Sequence, residues 1–265
     1  MMVSKTQRLG VVSIPVLATL AAMFGVFGVA AGLIFESVLL ETILNLGVIL
    51  SVSVVVARIS AKSFLQTGST NVLLLGLAVF EFGFSATLGG FVSSISVAEG
   101  IAMYEMGALT SAGLHFASGI LTYRGSPQRT TRLGLRVGVS YVATMIFASI
   151  LSILAIEIPS ISALAQLGSI SQRTVLSLTV VMLLASAFFF SRVYSRSHSP
   201  IVYWYSLGLA TTSFAFLAFF LTRTNGDLAT WTGIGGLCLG SVYFLFSVLA
   251  APKALGARKP LQRVG

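Results

Sequence analysis

The chain has 265 residues, of which 56% are hydrophobic and 9% charged, and its mean hydropathy is +0.97. Soluble domains carry about a quarter charged residues, so this composition excludes a soluble globular domain and indicates a polytopic membrane protein. The net charge of +9 would suggest a nucleic-acid partner in a soluble protein. Here the basic residues lie between apolar segments, where the positive-inside rule explains them. We therefore expect the lipid bilayer, and no nucleic acid, as a partner.

Eight apolar segments are each close to the roughly 20 residues that a helix needs to cross a bilayer. They are Val11–Phe35, Ser37–Val56, Asn71–Ile95, Ala98–Leu121, Leu133–Ile156, Val175–Val193, Ile201–Leu221 and Ala229–Leu249. The first is longer than the roughly 7–15 apolar residues of a signal peptide, so we predict a retained helix. The predicted fold class is all-α: one bundle of eight transmembrane helices over residues 1–250, followed by a short basic cytoplasmic tail over residues 251–265.

Basic residues divide unevenly between the two sides of this predicted bundle. Fourteen of the sixteen lie on one side, and only Arg173 and Arg223 lie on the other. Basic loops stay in the cytoplasm, so the pattern predicts a multi-pass protein of the cell membrane with both termini cytoplasmic.

A weak internal repeat relates the two halves of the chain. The pattern of residues 54–62 matches that of residues 188–196, and Gly76-Leu77-Ala78 echoes Gly208-Leu209-Ala210. These matches predict two parallel four-helix repeats. The alternative is that apolar helices resemble one another by composition alone.

Two pairs of glycines stand one helical turn apart and predict close helix packing. Gly28 and Gly32 lie in the first segment, and Gly236 and Gly240 in the eighth. Small residues at this spacing let two helix backbones approach each other.

Three ionisable residues, Glu81, Glu105 and His115, lie inside the third and fourth segments. A charge in the hydrocarbon core costs at least about 2.5–3.5 kcal/mol, so such residues suggest a function. A rise of about 1.5 Å per residue puts Glu81 and Glu105 within about 5 Å of the same depth, with His115 about 15 Å beyond Glu105. We expect both carboxyls to face one polar cavity that takes a proton, a cation or a small polar ligand. The alternative is that each is protonated and bonded locally.

Two further residues, Glu41 and Asn45, complete the list of candidates. Glu41 and Asn45 stand one turn apart near the outer end of the second segment, where they predict an outward-facing mouth, although interfacial solvation also explains Glu41. His115 is expected to be a hydrogen-bonded core residue, with a haem or metal ligand as the alternative. No phosphate-binding loop and no His-Glu-x-x-His helix is present, so we predict no enzyme, no catalytic residue, no metal site and no cofactor.

Several stretches resemble a known family. They are Thr67-Gly68-Ser69, Gly107-Ala108-Leu109, Ser199–Ala210 (SPIVYWYSLGLA) and Leu239–Leu245 (LGSVYFL). This part of the chain, roughly Arg58 to Leu249, resembles the multi-helix membrane-associated sensor modules that precede PAS and histidine-kinase domains in archaeal and bacterial signalling proteins. The resemblance implies a sensor-like fold. Because the chain ends roughly fifteen residues after the last segment, we expect no output domain and no kinase activity.

These observations predict an integral membrane sensory or signal-coupling module that acts on a separate protein partner, cytoplasmic or membrane-bound. A small-solute or ion carrier is the first alternative, and a structural or accessory subunit of a larger membrane complex is the second. Two-repeat carriers have broken helices at the membrane midplane. Here the prolines fall mainly at segment ends, which weakens the carrier interpretation.

Overall fold

The computed structural model describes residues 37–125, 132–158 and 168–250. Its helices are α1 (Val38–Leu44), a π-helical turn (Asn45–Leu50), α2 (Ser51–Thr67), α3 (Thr70–Ser93), α4 (Val97–Arg124), α5 (Leu133–Glu157), α6 (Ile170–Ser197), α7 (Pro200–Leu221) and α8 (Leu228–Leu249). The first helix, the π turn and α2 form one continuous rod. Six of the seven rods within these ranges are long and apolar enough to cross a membrane. The protein is therefore a multi-pass membrane protein.

The structure reproduces most of the predicted segments but not their full number. The segment Val11–Phe35 and the tail 251–265 lie outside the described residues. The fourth segment forms α4, which has 28 residues but is not among the six apolar spans, because its polar and charged residues are spread along its length and leave no sufficiently apolar stretch of 18 residues. The eight-helix count therefore stays a prediction.

Two helices are longer than the sequence predicted. The second segment was expected to end at Val56, whereas α2 continues to Thr67. The sixth was expected over Val175–Val193, whereas α6 extends beyond it at both ends. Basic residues near these ends do not stop a helix, because their aliphatic stems can lie along it while the charged heads reach water. Both helices end instead at a residue in the left-handed region: α2 at Gly68, whose φ is 68°, and α6 at His198, whose φ is 51°.

Six helices form a closed ring in the order α2, α3, α4, α6, α7, α8, and α5 packs outside it against α2, α3 and α4. The outer helix is held by Tyr141, whose hydroxyl donates to the carbonyl of Ala57 at 3.0 Å and whose ring meets Phe80 edge-on at 5.5 Å. Among its described hydrophobic side chains only Ala148 is buried. The hydrophobic core and the polar residues of the third and fourth segments therefore lie inside the ring.

Serine hydroxyls connect neighbouring helices of the ring. Each donates to a backbone carbonyl of the next helix: Ser111 to Ala78 (2.7 Å), Ser118 to Asn71 (2.9 Å), Ser206 to Ala187 (3.0 Å), Ser213 to Val180 (3.2 Å) and Ser247 to Ile201 (2.9 Å). Such bonds matter here because lipid tails are as apolar as leucine, so helix association in a membrane depends on packing and polar contacts.

Glycines bring α7 and α8 together. A Cβ atom added at Gly240 would lie 2.5 Å from the hydroxyl of Thr212 and 3.4 Å from the carbonyl oxygen of Gly208. One added at Gly236 would lie 2.9 Å from the Cβ of Ala215. Both glycines thus occupy a contact with α7 that leaves no room for a larger side chain. Gly28 and Gly32 lie outside the described residues.

We expect Gly240→Leu to lower the melting temperature of the detergent-solubilised protein by roughly 5 °C or more. Overpacking of a tight contact costs about 1–3 kcal/mol, and in a chain of this size each kcal/mol shifts the melting temperature by about 2–4 °C. The control is Gly235→Leu, because Gly235 lies on the exposed side of the same helix with nothing within 4 Å of its added Cβ. Equal melting temperatures for the two variants would contradict the close contact. Differential scanning fluorimetry provides the measurement.

Candidate functional site

The two ends of the bundle differ in the charged residues that they carry within the described structure. At the acidic end α1, α4, α6 and α8 begin, and its charged residues are Glu41, Glu99, Glu105, Glu157, Asp227, Arg173 and Arg223. The opposite, basic end carries Arg58, Lys62, Arg124, Arg132, Arg136, Arg192 and Arg196, with no acidic residue in the described part of the chain. The potential at the acidic end therefore favours cations.

A cavity of about 70 Å³ lies at the acidic end, inside the ring; we call it the acidic-end cavity. Polar side chains from six helical elements and the α7–α8 loop line it: Glu41, Asn45, Ser93, Glu105, Gln172, Thr222, Asn225 and Thr230. Its apolar and aromatic lining consists of Ile101, Tyr104, Leu176, Phe219 and Ile234. One water needs about 10–15 Å³, and a cavity of about 150 Å³ accepts benzene. The space suits a few waters or a ligand of a few heavy atoms.

The backbone beside the cavity is fixed by a close approach of α3 and α4. A Cβ atom added at Gly89 would lie 2.9 Å from the carbonyl oxygen of Gly100, and one added at Gly100 would lie 2.7 Å from that of Gly89. Both residues line the cavity. Only glycine at these two positions allows the hairpin to close this tightly, so the two helices form a rigid wall.

Glu105 is held in the cavity by a chain of hydrogen bonds from the start of α6. The side-chain amide of Gln172 donates to Glu105 Oε1 at 2.7 Å, and the backbone N–H of Gly168 donates to the amide oxygen of Gln172, also at 2.7 Å. Ser169 caps the helix by accepting from the N–H of Gln172 at 3.0 Å. Glu105 is only 5% exposed. Its second oxygen, Oε2, accepts no hydrogen bond from any described residue.

Two other buried polar groups of the cavity lack a protein partner in the described ranges. Asn45 is 2% exposed, lines the cavity and makes no side-chain hydrogen bond there. The hydroxyl of Tyr104 is also buried without a partner, within electrostatic range of the carboxyls of Glu41 and Glu105. The Tyr104 hydroxyl, as a buried polar group left unsatisfied, costs about 1–3 kcal/mol. A molecule in the cavity that bonds to these groups would recover that cost.

Glu81 lies elsewhere in the bundle. Its side chain is fully buried, and its Oε1 accepts from the hydroxyl of Ser85, one turn along α3, at 3.3 Å. Its Oε2 has no partner among the described residues, and Glu81 does not line the acidic-end cavity. Glu81 and Glu105 therefore both turn inward, but the structure does not bring them together in this cavity. It brings Glu105 together with Glu41 and Asn45 instead.

His115 lies deeper, beside a second cavity that we call the His115 chamber. This chamber measures about 10 Å³, and its polar lining comes from Ser53, Ser111, His115, Thr212 and Ser241. Nδ1 of His115 lies 2.5 Å from the hydroxyl of Tyr205, and its ring stacks on Phe244 at 5.6 Å. The chamber has room for about one water. No group of three or more potential metal-ligating His, Cys, Asp or Glu residues occurs in the described ranges.

Four aromatic rings separate the two cavities. Tyr104 and Phe219 line the acidic-end cavity, whereas Phe82 and Phe216 line the His115 chamber. The Tyr104 ring lies 5.8 Å from Phe82, 6.2 Å from Phe216 and 5.8 Å from Phe219, measured between ring centroids. We call these four rings the aromatic layer. They close the acidic-end cavity on the side facing the basic end.

Sequence reasoning missed Gln172, Tyr104 and Phe219 as site residues. Gln172 precedes Val175, where the apolar pattern of the sixth segment begins, so the pattern does not include it. The spacing Ser169-x-x-Gln172 matches a capping box, which places a helix start at this position. Tyr104 and Phe219 had no such signal, because apolar helices contain many aromatic residues that only pack.

We expect Tyr205→Phe to lower the melting temperature, because it leaves the buried ring nitrogen of His115 without its hydrogen bond, at a cost of about 1–3 kcal/mol. The control is Tyr243→Phe: this hydroxyl is buried without a partner in the described part of the chain, so its removal should leave the melting temperature unchanged or raise it. The two variants can be compared by differential scanning fluorimetry. A larger decrease in melting temperature in Tyr243→Phe than in Tyr205→Phe would refute a stabilising hydrogen bond between Tyr205 and His115.

No protein-family model, no curated protein and no solved structure matches this chain. The resemblance of Ser199–Ala210 to sensor modules therefore stays a prediction. What the site does has to be inferred from its own geometry: a small cavity with two carboxyls, three amide side chains and an aromatic floor, at one end of a multi-pass membrane bundle.

Proposed function

We propose that this protein is an integral membrane sensory or signal-coupling module, without a catalytic domain, that binds a small polar or cationic ligand in the acidic-end cavity. One observation carries the proposal: buried polar groups converge there with hydrogen-bonding capacity that no described residue uses. The aromatic layer closes the cavity toward the basic end. A ligand-binding cavity with no open path toward the opposite end of the bundle suits a sensor better than a carrier.

The π-helical turn supports a coupling role. It begins at Asn45, which lines the cavity, and leads directly into α2. Single π turns inside α-helices occur frequently at functional sites. With 17 residues at about 1.5 Å each, α2 carries any displacement about 25 Å toward the basic end. A ligand that binds one arrangement of this rod better than another shifts the population between them.

A carrier of a small solute or ion is the second candidate, and the His115 chamber favours it. Two polar cavities lie on opposite sides of the aromatic layer, as they would in a carrier closed at its midpoint. Movement of Tyr104 and Phe216 would join them. The small volume of the inner chamber, about 10 Å³, is the reason for ranking this candidate second.

The orientation and the full helix count belong to the same proposal. Seven described basic residues at one end against two at the other support a cytoplasmic basic end, cytoplasmic termini and a location in the cell membrane. The acidic-end cavity then faces outward, and the separate protein partner receives the signal at the basic end. Eight helices in two four-helix repeats are proposed as well, supported by the two glycine-packed hairpins, α3–α4 and α7–α8.

We expect a cysteine at position 225 to react from outside intact cells. In a Cys238→Ser background, Asn225→Cys should react with membrane-impermeant methanethiosulfonates. The cationic trimethylammonium-ethyl reagent should be roughly tenfold faster than the anionic sulfonatoethyl reagent, because the nearby carboxyls attract cations. Ser195→Cys, exposed at the basic end, is the control and should react only after permeabilisation. An unreactive Asn225→Cys in intact cells would remove the outward-facing site.

We expect the cation tethered at position 225 to change the environment of Trp204. Trp204 lies at the basic end of α7, stacked on Tyr243 at 5.7 Å, and Trp231→Phe leaves it as the only tryptophan. In a protein that carries both Cys238→Ser and Trp231→Phe, labelling Asn225→Cys with the cationic reagent should shift the emission of Trp204. A coupling module transmits the conformational effect of a bound cation along its helices. The neutral methyl methanethiosulfonate is the control. Identical emission spectra after both labels would argue against coupling and leave a structural subunit as the better description.

A further inference from the structure

We propose that the acidic-end cavity selects a small primary ammonium cation, such as a short alkylamine in its protonated form. This inference rests on the proposed ligand-binding function and names the chemical class of the ligand. Of the described residues that line the cavity, two are glutamates and none is lysine, arginine or histidine. An ionised carboxyl that is enclosed by protein is stabilised by a positive charge beside it. The cavity therefore favours a cationic ligand.

No neighbouring side chain supplies that charge from within the described structure. Arg173 follows Gln172 in the chain, but its guanidinium lies over the ring of Phe220, 5.8 Å from the centroid. Arg223 does not line the cavity, and its loop is organised by Asp227, which accepts from the backbone N–H of Arg223 at 2.9 Å. A bound cation is therefore the group that would stabilise both carboxyls in their ionised form.

The hydrogen-bonding groups of the cavity match a primary ammonium group. Such a group has three donors and no acceptor. The cavity offers acceptors on three side chains that use none of this capacity within the described residues: the carboxyl of Glu41, Oε2 of Glu105 and the amide oxygen of Asn45. A tertiary or quaternary ammonium would leave at least two of these acceptors without a donor.

The remaining lining selects an organic cation over a metal ion. Calcium takes six to eight oxygen ligands, whereas much of this cavity is lined by Ile101, Tyr104, Leu176, Phe219 and Ile234. These side chains suit a short alkyl chain, and aromatic ring faces attract an ammonium group. The volume of about 70 Å³ is less than half of the roughly 150 Å³ that accepts benzene. The ligand is thus limited to a few carbon atoms.

The test is a titration of the full chain in lipid nanodiscs at constant ionic strength. The probe is ethylammonium chloride, compared with ethanol as its neutral analogue and with potassium chloride as an inorganic cation. Binding is followed by tryptophan fluorescence, because Trp231 adjoins the lining residue Thr230. We expect saturable binding of ethylammonium, no saturation with ethanol or potassium, and at least tenfold weaker ethylammonium binding in Glu105→Gln and Glu41→Gln.

Glu81→Gln is the matched control. Glu81 is a buried carboxyl on a ring helix like Glu105, but it does not line the cavity, so its replacement should leave the affinity unchanged. Glu105→Gln keeps the shape of the side chain and an acceptor for Gln172. If Glu105→Gln nevertheless fails to fold, the ethylammonium affinity of Glu41→Gln decides the test, because Glu41 is only half-buried.

Four results would overturn the inference. Ethanol could bind as well as ethylammonium, or the folded cavity variants could keep the ethylammonium affinity of the unchanged protein. Glu81→Gln could lose as much ethylammonium affinity as the cavity variants, or potassium could bind saturably while ethylammonium does not. The last result would refute only the ammonium class and would leave a ligand-binding module in place. Failure of the proposed function itself is recognised separately, by an unreactive Asn225→Cys and by unchanged Trp204 emission.

Discussion

The structure depends on one constraint, which is that polar groups at membrane depth have to find their partners within the protein. Lipid supplies neither hydrogen bonds nor a hydrophobic driving force between helices. The ring of six helices meets this constraint with serine hydroxyls that donate to carbonyls of the neighbouring helix and with glycines that let backbones touch. The glycines of the apolar helix α5, Gly134 and Gly138, have no atom within 4 Å of an added Cβ, and this helix lies outside the ring. The same constraint explains how the less apolar helix α4 can belong to the bundle: it has ring neighbours on both sides.

The acidic-end cavity is the place where this rule is locally broken. Elsewhere in the ring buried hydroxyls mostly find carbonyls, but the hydroxyl of Tyr104 is buried without a partner in the described structure. The side chain of Asn45 and Oε2 of Glu105 meet the same cavity without a hydrogen bond to any described residue. Natural sequences violate local consistency mainly at functional sites. Glu81 Oε2 and the hydroxyls of Thr211 and Tyr243 also lack a partner among the described residues, but they do not line this cavity. Convergence on one space, more than any single orphaned group, identifies the site.

The aromatic layer and the π turn give the cavity two different physical connections to the rest of the molecule. The layer separates the cavity from the His115 chamber by packed rings, so passage through the bundle requires those rings to move. The π turn instead connects Asn45 to α2 through the backbone, which transmits a displacement without opening a path. A ligand shifts such an equilibrium only by its difference in affinity between the two arrangements. The sensor and carrier interpretations differ in which of these two elements responds.

The sequence by itself determined the class of protein and the places of most helices, because an apolar run of about 20 residues has few options other than a helix in a bilayer. It also determined that Glu41 and Asn45 share a face, since residues four apart on one helix do so. Depth along the helix was predictable for Glu81 and Glu105 as well, but depth does not fix the direction in which a side chain points. The order of helices in the ring decided that Glu105 meets Gln172 of α6 while Glu81 stays with Ser85 of its own helix. The cavity is assembled from helices far apart in the chain, so only the tertiary structure could bring its residues together.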